Sequence, residues 1–419
     1  MNRCASLLIV LAAILAASLP AMAEVPVIDL GPEEFVQANG EDIVVPGYSV
    51  PCFEDWDNDG LGDLIVGEGD GDTGGKVRVY LNRGSEVDPS FVDSFYVQAD
   101  GWDLKVPAQG CLGAAPRVVY WDWDDAKDLL IGRANGTVEI YLNIASDEDP
   151  SFDSGHTVNY GGCQCWPIDV GMRATPVPVY WNDDDMLDLV VGGLDGMIHV
   201  YMNCGCGGSI PPRFNYSPMA GEPAQEDGQD LIVPGLRSSP DILDLDGDGK
   251  KDLLTGNSDG QILFYKNIGL EGLPLFGGFS LVCSNGEPID LAGSPRSRPF
   301  VCHWDGPGHW DLLVGSADGK IRLYRGSPAP GNPGDPGEPG DPADPGDVGT
   351  LGDFNGDGRL DADDFTFIAR ALNKPLTKEG SPADLNADGM VDGHDLTLFA
   401  ELWLAEYGDD EPKAEDAKI

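Results

Sequence analysis

Positive charge is scarce in this sequence. Its 419 residues include 25 lysines and arginines against 72 aspartates and glutamates, which gives a formal net charge of −47. A surface with this balance repels nucleic acid and anionic membranes and attracts divalent cations. Such acidity can accompany disorder, but 41% hydrophobic residues and nine tryptophans are enough to build cores. We therefore expect a folded, cation-binding chain with no nucleic-acid partner.

Familiar catalytic motifs are also missing. The sequence has no His-Glu-x-x-His motif and no phosphate-binding loop. Its five histidines are scattered. For His303 and His309 a structural role is favoured, and a role as metal ligands is the alternative. Whether two carboxylates are placed for glycoside cleavage stays an open question, because acidic residues are abundant and a sequence does not show the distances between them.

Long hydrophobic runs are confined to the first 23 residues. This segment combines Arg3, an apolar run from Ala5 to Leu19 and the small residues around Ala23, a pattern typical of a cleaved signal peptide. An uncleaved anchor is the alternative, although the run is short for one. No later segment is long and apolar enough to span a bilayer. We expect a secreted or cell-surface protein with no membrane span in the mature chain.

Eight cysteines remain after removal of the signal segment. An even number in an exported protein suggests disulfides, whose connectivity the sequence does not reveal. A metal site at Cys163-x-Cys165 and Cys204-x-Cys206 is the alternative, although zinc knuckles use CxxC spacing. The eight are Cys52, Cys111, Cys163, Cys165, Cys204, Cys206, Cys283 and Cys302.

An acidic loop recurs five times between residues 28 and 326. Its fullest copies are Asp55-Trp-Asp-Asn-Asp-Gly-Leu-Gly-Asp63 and Asp244-Leu-Asp-Gly-Asp-Gly-Lys-Lys-Asp252. The ninth-position aspartates are Asp63, Asp128, Asp188, Asp252 and Asp311. Glycine follows each of them four residues later, at Gly67, Gly132, Gly192, Gly256 and Gly315. This regular spacing indicates a repeat architecture.

Each repeat is predicted to hold four strands. Asn-Gly or Asp-Gly turns, which suit a type I′ hairpin, stand between two apolar runs at Asn135-Gly136, Asp195-Gly196, Asp259-Gly260 and Asp318-Gly319. Adding a strand before the acidic loop and an outer strand gives a propeller blade. Residues 35–43 resemble residues 96–104 of the first outer strand, so the N-terminal segment is expected to complete the last blade.

We therefore predict an all-β propeller of five four-stranded blades over residues 24–326. A solenoid or a pair of sandwiches is the alternative. The second position of the acidic loop is Trp56, Trp121, Trp181, Leu245 or Trp304. These tryptophans could form a sugar-stacking surface. We favour packing between blades, because the position repeats with the fold.

The pattern Asp-x-Asp-x-Asp-Gly-x-x-Asp-Leu-Leu-x-Gly resembles the FG-GAP/VCBS repeats of integrin-type β-propellers. The resemblance covers residues 28–326 and implies Ca²⁺ in the loops and a binding role rather than a catalytic one. Such loops supply the several oxygen ligands that Ca²⁺ requires. The predicted ligands are Asp55, Asp57, Asp59, the Leu61 carbonyl and Asp63, and Asp244, Asp246, Asp248, the Lys250 carbonyl and Asp252.

The other three loops are degenerate. Tyr120 and Tyr180 replace the first carboxylate of the loops that end at Asp128 and Asp188, and both loops lack the glycine. We expect weak or no Ca²⁺ binding there, and none in the loop that ends at Asp311.

A proline-rich segment follows the repeats at residues 327–349. Proline recurs at every third position from Pro330 to Pro345, which favours a polyproline-II spacer. A collagen-like tract is the alternative, but Ala343 interrupts the glycine pattern. The charged tail at residues 409–419 is expected to be disordered.

Two more acidic loops lie within residues 350–408. Oxygen-bearing side chains stand at positions 1, 3, 5, 9 and 12 with glycine at position 6, which is EF-hand spacing with aspartate last. A short amphipathic helix is predicted after each loop. The loop–helix pair resembles a type I dockerin, which implies Ca²⁺-dependent folding and docking to a cohesin. The predicted ligands are Asp353, Asn355, Asp357, Arg359, Asp361 and Asp364, and Asp384, Asn386, Asp388, Met390, Asp392 and Asp395, with Arg359 and Met390 acting through their carbonyls.

These features together predict an exported, calcium-binding, non-catalytic protein. Its propeller would recognise a glycan or an extracellular protein, and its dockerin would dock to a cohesin-type partner. Loop positions 10 and 11, Ala362-Asp363 and Gly393-His394, are not the hydroxyl pair common in dockerins, so the partner's identity stays open. The alternatives are a terminal module without a cohesin partner, a dockerin-bearing polysaccharide hydrolase or lyase, and a structural envelope protein.

Overall fold

The structure is a computed structural model that describes residues 27–70, 74–107, 113–122, 124, 126–161, 166–182, 186–203, 214, 222–226, 229–269, 274–291, 293–306 and 309–326. The chain divides into two units, Met1–Gly337 and Glu338–Ile419, and every described residue belongs to the first. The predicted signal peptide, linker, dockerin and tail lie outside the described residues. No helix in the described ranges is long and apolar enough to cross a membrane.

The described residues form strands joined by loops. In chain order the strands are β1 (Asp29–Leu30), β2 (Glu33–Phe35), β3 (Gln37–Ala38), β4 (Glu41–Asp42), β5 (Val50–Glu54), β6 (Asp63–Asp70), β7 (Gly74–Tyr80), β8 (Phe95–Tyr96), β9 (Gln98–Ala99), β10 (Trp102–Asp103), β11 (Ala115–Val119), β12 (Asp128–Gly132), β13 (Val138–Tyr141), β14 (His156–Thr157), β15 (Asn159–Tyr160), β16 (Trp166–Pro167), β17 (Thr175–Val179), β18 (Asp188–Gly192), β19 (Ile198–Tyr201), β20 (Glu222–Pro223), β21 (Gln225–Glu226), β22 (Gln229–Asp230), β23 (Ser239–Leu243), β24 (Asp252–Gly256), β25 (Ile262–Tyr265), β26 (Ser280–Leu281), β27 (Cys283–Ser284), β28 (Glu287–Pro288), β29 (Arg298–Cys302), β30 (Asp311–Gly315) and β31 (Ile321–Tyr324).

Five sheets have four strands each and form the body of a β-propeller. They are β5–β6–β7–β8, β11–β12–β13–β14, β17–β18–β19–β20, β23–β24–β25–β26 and β29–β30–β31–β2, here named blades one to five. Their first strands contact one another in a closed cycle, from β5 through β11, β17, β23 and β29 back to β5. The prediction of an all-β propeller is therefore confirmed.

The predicted number of blades was one sheet short. A sixth sheet has three strands, in which β1 pairs in parallel with β27 and β27 pairs with β28. The propeller therefore has six blades when every sheet of three or more strands is counted as a blade. A short hairpin follows the outer strand of every blade, and β27–β28 is the one that β1 extends. The sequence did not reveal this sheet because its strands are two residues long and β1 precedes every repeat landmark.

The N-terminal segment closes blade five, as predicted. Strand β2 pairs antiparallel with β31, so that Glu33 lies opposite Tyr324. The buried Arg322 donates from Nε to Glu33 Oε2 at 3.2 Å, and the Tyr324 hydroxyl donates to the same oxygen at 3.0 Å. This closure by both chain ends gives the last blade its outer strand.

The repeated glycine allows neighbouring blades to touch. A β-carbon on Gly132 would lie 2.1 Å from the Ala174 carbonyl oxygen and 2.5 Å from Cδ of Pro176 in blade three. Gly315 of blade five has the same relation to blade one, where Cδ of Pro51 would lie 2.7 Å away. Any larger residue at this position would force two blades apart.

A repeated proline faces that glycine, and the sequence interpretation missed it. Proline is the second residue of each first strand, twelve residues before the ninth-position aspartate. The first strand is an edge strand beside the propeller axis, where a missing N–H breaks no ladder hydrogen bond. The five are Pro51, Pro116, Pro176, Pro240 and Pro299.

The repeated tryptophans pack between blades, which confirms the favoured interpretation. The ring centroid of Trp56 in blade one lies 5.6 Å from that of Phe152 in blade two. Trp304 of blade five completes the ring at 5.8 Å from Phe91 of blade one. All four loop tryptophans are buried, so none offers a sugar-stacking face.

The three described cysteines form no disulfide, contrary to the prediction. Cys52, Cys283 and Cys302 are free and buried. Cys52 and Cys302 lie on the neighbouring first strands β5 and β29, and burial raises the pKa of Cys52 to about 12. These thiols serve as core residues. The other five cysteines of the mature chain lie outside the described residues.

Candidate functional site

The acidic loop of blade one gathers three carboxylates. It connects β5 to β6, and oxygens of Asp55, Asp57 and Asp63 lie within 4.8 Å of one another. One oxygen of Asp57 is buried and has no hydrogen-bond donor among the described residues. Three converging carboxylates form an arrangement that suits a hard cation.

The first aspartate also folds this loop. Asp55 accepts hydrogen bonds from the N–H groups of Asp59 at 3.1 Å and Gly60 at 2.9 Å. Gly60 has a φ of +83°, which explains why glycine stands at position 6. The predicted ligand Asp59 lies outside the cluster, and its Oδ1 accepts the N–H of Leu61 at 3.0 Å.

The ninth-position aspartate has a structural role in all five blades. Asp63 accepts the N–H of Trp56 at 2.9 Å on one oxygen and the N–H of Asn82 at 2.6 Å on the other. Asp128, Asp188, Asp252 and Asp311 make the same two bonds. The residue therefore joins the start of the loop to the end of the third strand, even in degenerate copies.

Burial dominates the ionisation of these aspartates. It raises the pKa of Asp63, Asp128 and Asp252 to about 7, and the two backbone N–H groups counteract only part of that effect. The sequence interpretation treated the repeated aspartates as calcium ligands. The hydrogen bonds to the backbone give a second reason for the aspartate to recur at the ninth position. The Tyr-x-Asn motif, repeated at the end of four of the third strands, was the sequence signal for this structural role.

The acidic loop of blade four already contains a cation. Carboxylate oxygens of Asp244, Asp246 and Asp248 lie within 4.8 Å of one another. The ammonium of Lys266 donates to Asp248 Oδ2 at 2.8 Å and also to Asp246. Burial alone would lower the pKa of Lys266, but these two carboxylates raise it above its usual value. The predicted ligand Asp252 is not part of this group.

Blade five holds a mixed cluster that the sequence interpretation did not expect. Oxygens of Asp305 and Asp311 and a ring nitrogen of His309 lie within 4.8 Å of one another. His309 Nε2 is 2.9 Å from Asp305 Oδ1, and Arg325 donates to the other oxygen of Asp305. The His303 ring stacks on Trp310 with centroids 4.0 Å apart. The guanidinium of Arg325 thus already contacts an acid of this loop.

The degenerate loops of blades two and three gather no comparable cluster among their described residues. The Tyr120 hydroxyl, at the first position in blade two, donates to Asp147 Oδ2 at 3.2 Å. Lys127 of the same loop donates from Nζ to the Asp55 carbonyl oxygen at 2.6 Å. Blade two therefore braces the loop of blade one. Asp184, the fifth residue of the blade-three loop, and all twelve predicted dockerin ligands lie outside the described residues.

A cavity opens on the propeller axis at the opposite ends of the first strands. Val50 begins β5 and lines it, whereas the acidic loop follows Glu54 at the other end of that strand. The space between its walls is about 490 Å³ when the open solvent at its mouth is included, and about 30 Å³ of it admits a water-sized group. Its charged lining residues are Arg133, Arg173, Arg237, Arg296 and Arg298. The described lining residues include no carboxylate.

The sequence contained a signal for this cavity that the interpretation missed. Arg-x-x-Pro occurs at the entrance to the first strand in three consecutive repeats, beginning at Arg173, Arg237 and Arg296. A second, smaller cavity is lined by the following residues of the same strands, and Arg298 lines both.

Comparisons with solved structures give distant likenesses. A Photorhabdus luminescens Tc holotoxin pore is 12% identical with a TM-score of 0.36, and the match covers 72% of this chain and 15% of that one. BBS1N in complex with ARL6DN is 12% identical with a TM-score of 0.35, covering 73% of this chain and 99% of that one. A GH43_1 enzyme from Xanthomonas citri is 13% identical with a TM-score of 0.42, covering 70% and 90%. Likenesses this weak carry no argument about activity.

A search of curated proteins finds no match. The family model described as "Dockerin type I domain" matches residues 351–401. All twelve dockerin ligands predicted from the sequence, from Asp353 to Asp395, fall inside that match. The chain therefore carries a type I dockerin domain after its β-propeller.

Proposed function

We propose that this chain is an exported binding protein that a cohesin-type partner holds on a scaffold or cell surface. The dockerin match at residues 351–401 carries the proposal. A dockerin positions whatever precedes it in the chain, and here a propeller precedes it. The propeller would then recognise a glycan or an extracellular protein.

Calcium would hold both parts in shape. The oxygen set of Asp55, Asp57 and Asp63 fits a hard cation, and the paired loops of the dockerin have EF-hand spacing. Bound Ca²⁺ would supply charge neutralisation and loop order rather than chemistry. In blade four Lys266 would compete with Ca²⁺ for the carboxylates of Asp246 and Asp248. The FG-GAP/VCBS type of the repeats stays a prediction.

The axial cavity favours binding over glycoside hydrolysis. That reaction needs two carboxyl groups roughly 5–10 Å apart at the sugar. The described residues that line this cavity offer five guanidinium groups and no carboxylate. A dockerin-bearing polysaccharide hydrolase or lyase is the alternative, and a reducing-end assay on polysaccharides tests it alongside the experiment below.

Pull-down of the mature full-length chain on a panel of immobilised type I cohesins tests the proposal. We expect capture in millimolar Ca²⁺ and loss of capture in EDTA, because such modules fold with their metal. The double variant Asp353→Ala/Asp384→Ala should lose at least about 100-fold in affinity for the cohesin, since each substitution removes the first ligand of a loop. Asp409→Asn in the tail is the control and should bind like the parent chain. Undiminished capture of the double variant would contradict calcium-dependent docking.

A further inference from the structure

Five arginines line the axial cavity of a chain whose formal net charge is −47. We propose that this cavity binds the carboxylate or sulfate group of an acidic saccharide. The inference rests on the proposed binding function and names its ligand class. The planar guanidinium fork matches both oxyanions, and a positive pocket within an acidic surface focuses its field on the ligand that enters.

Three of these arginines hold an unusual backbone conformation. Arg173, Arg237 and Arg296 have φ angles of +63°, +60° and +75°. Residues other than glycine, asparagine and aspartate seldom adopt this region, and when they do the site is often functional. The three occupy one position of the repeat, two residues before the first strand. The fold therefore places them side by side around part of the axis.

The guanidinium groups have hydrogen-bonding capacity that a ligand can use. Nη1 of Arg237 and Nε of Arg133 are buried and have no acceptor among the described residues. Such donors are costly to bury, and an oxyanion in the cavity would supply acceptors for them. Arg133 also pairs with Glu139 through Nη1, which holds its side chain in place.

Other contacts fix the remaining arginines at one side of the cavity. Arg298 is 7% exposed, and its Nη1 donates to the Arg296 carbonyl oxygen at 3.1 Å. The guanidinium carbons of Arg296 and Arg298 lie 5.2 and 4.8 Å from the centre of the Tyr48 ring. Stacking of this kind preorganises a guanidinium, which lowers the entropy lost when it binds an anion.

The floor of the cavity contributes little net charge. The second cavity, below Arg298, is lined by Arg117, and this arginine forms an ion pair with Asp241. Positive charge is therefore concentrated in the axial cavity. The space inside the cavity that admits a water-sized group is about 30 Å³, which suits the carboxylate or sulfate group of a saccharide rather than a whole sugar ring or a protein surface.

Calorimetry on the full chain in Ca²⁺ tests the inference. The probes are a uronic-acid trisaccharide, a sulfated trisaccharide, a neutral trisaccharide of the same linkage, and sodium sulfate. We expect at least one acidic trisaccharide to bind at least about tenfold more tightly than the neutral one, because hydrogen bonds to charged groups are the stronger ones. Its affinity should fall as salt is raised.

Two variants test the role of the arginines. Arg237→Gln and Arg173→Gln should each weaken binding of the acidic trisaccharide about tenfold or more, and a thermal melt shows which variants are folded. Arg83→Gln removes the same charge from an exposed side chain outside the cavity lining and should leave binding unchanged.

Equal binding of neutral and acidic trisaccharides would overturn the inference. Binding of free sulfate without either acidic trisaccharide would also overturn it, as would full affinity in folded Arg237→Gln and Arg173→Gln. Cohesin capture does not depend on the cavity, so the docking function can stand while this inference fails. Loss of cohesin capture by the parent chain would instead count against the proposed function.

Discussion

Arg117 and Asp241 meet across the propeller axis, with Nη2 of the arginine 3.4 Å from Oδ1 of the aspartate. They lie on the first strands of blades two and four, which are not neighbours in the ring. Asp241 Oδ2 also accepts the N–H of Val301 of blade five at 2.8 Å. Burial raises the pKa of Asp241, and Arg117 opposes that shift. One ion pair therefore links three of the five four-stranded blades.

Removal of one partner of this pair should be strongly destabilising. Arg117→Met leaves the buried carboxylate of Asp241 without its counter-charge, and we expect a loss of about 3–5 kcal/mol in the free energy of unfolding. The double variant Arg117→Met/Asp241→Leu should be less destabilised, because neither charge stays buried. Urea unfolding followed by tryptophan fluorescence measures both. A double variant that is less stable than Arg117→Met would refute the explanation.

The glycine between blades gives a steric prediction. Gly132→Ala places a β-carbon 2.1 Å from the Ala174 carbonyl oxygen, and we expect destabilisation of about 1–3 kcal/mol or more. Gly293→Ala is the matched control, because a β-carbon there meets nothing within 4 Å. It should change stability by less than about 0.5 kcal/mol. Equal unfolding midpoints for the two variants would show that the blades can separate without cost.

Lys266 should limit calcium binding in blade four. Its ammonium contacts Asp246 and Asp248, where a divalent ion would bind. Lys266→Gln removes that competitor, and we expect about a tenfold gain in Ca²⁺ affinity at this loop, since one charge-assisted contact corresponds to about that factor. Calorimetric titration of the full chain with Ca²⁺ measures it.

Two control variants accompany this titration. Lys76→Gln removes a lysine that pairs with Asp103 outside the acidic loops, and it should leave the titration unchanged. Asp57→Ala should remove one site, that of blade one. Identical titrations of Lys266→Gln and the parent chain would mean that the lysine moves aside freely.

Acid should weaken the closure of blade five. Burial alone would raise the pKa of Asp318, but hydrogen bonds from Arg322 and Ser316 outweigh it and hold this pKa well below its usual range. A lowered pKa in the folded state means that the ionised group stabilises the fold above its unfolded pKa, about 4. That stabilisation disappears as pH falls through the folded value.

The variant Asp318→Asn isolates this contribution. We expect it to lower the free energy of unfolding by about 1–3 kcal/mol at pH 7, because it removes a charged hydrogen-bond partner of Arg322. The difference from the parent chain should shrink below about pH 4. Urea unfolding at pH 7, 5 and 3 measures it, with Asp103→Asn as a control for lost surface charge. A pH-independent difference would rule out the ionisation argument.

Much of the fold was readable because its signals are local and repeat. Each signal can be recognised in a short stretch of sequence. The signals are the Asp-Gly turns, the glycine after each ninth aspartate and the resemblance of residues 35–43 to residues 96–104. They led to the four-stranded repeat and to closure by β2. The six residues of β1, β27 and β28 carried no periodic pattern, and the sixth sheet was missed.

The candidate sites were readable in part. The grouping of Asp55, Asp57 and Asp63 followed from loop spacing, since alternate residues of a tight turn converge. The presence of Lys266 in the other full loop did not follow, because it lies fourteen residues beyond Asp252, directly after the end of β25. The cluster of Asp305, His309 and Asp311 was likewise unexpected.

The amino-acid sequence by itself determined the repeat, the packing role of the tryptophans and the dockerin, because each depends on spacing along a short stretch of chain. Tertiary structure decided that a lysine contacts the carboxylates of the blade-four loop and an arginine those of the blade-five loop, and it brought arginines from four blades to one axial cavity. Lys266 and Arg325 each lie 20 residues along the chain from an aspartate that they contact across their own blade, whereas the cavity arginines of different blades are dozens of residues apart and meet only when the ring closes.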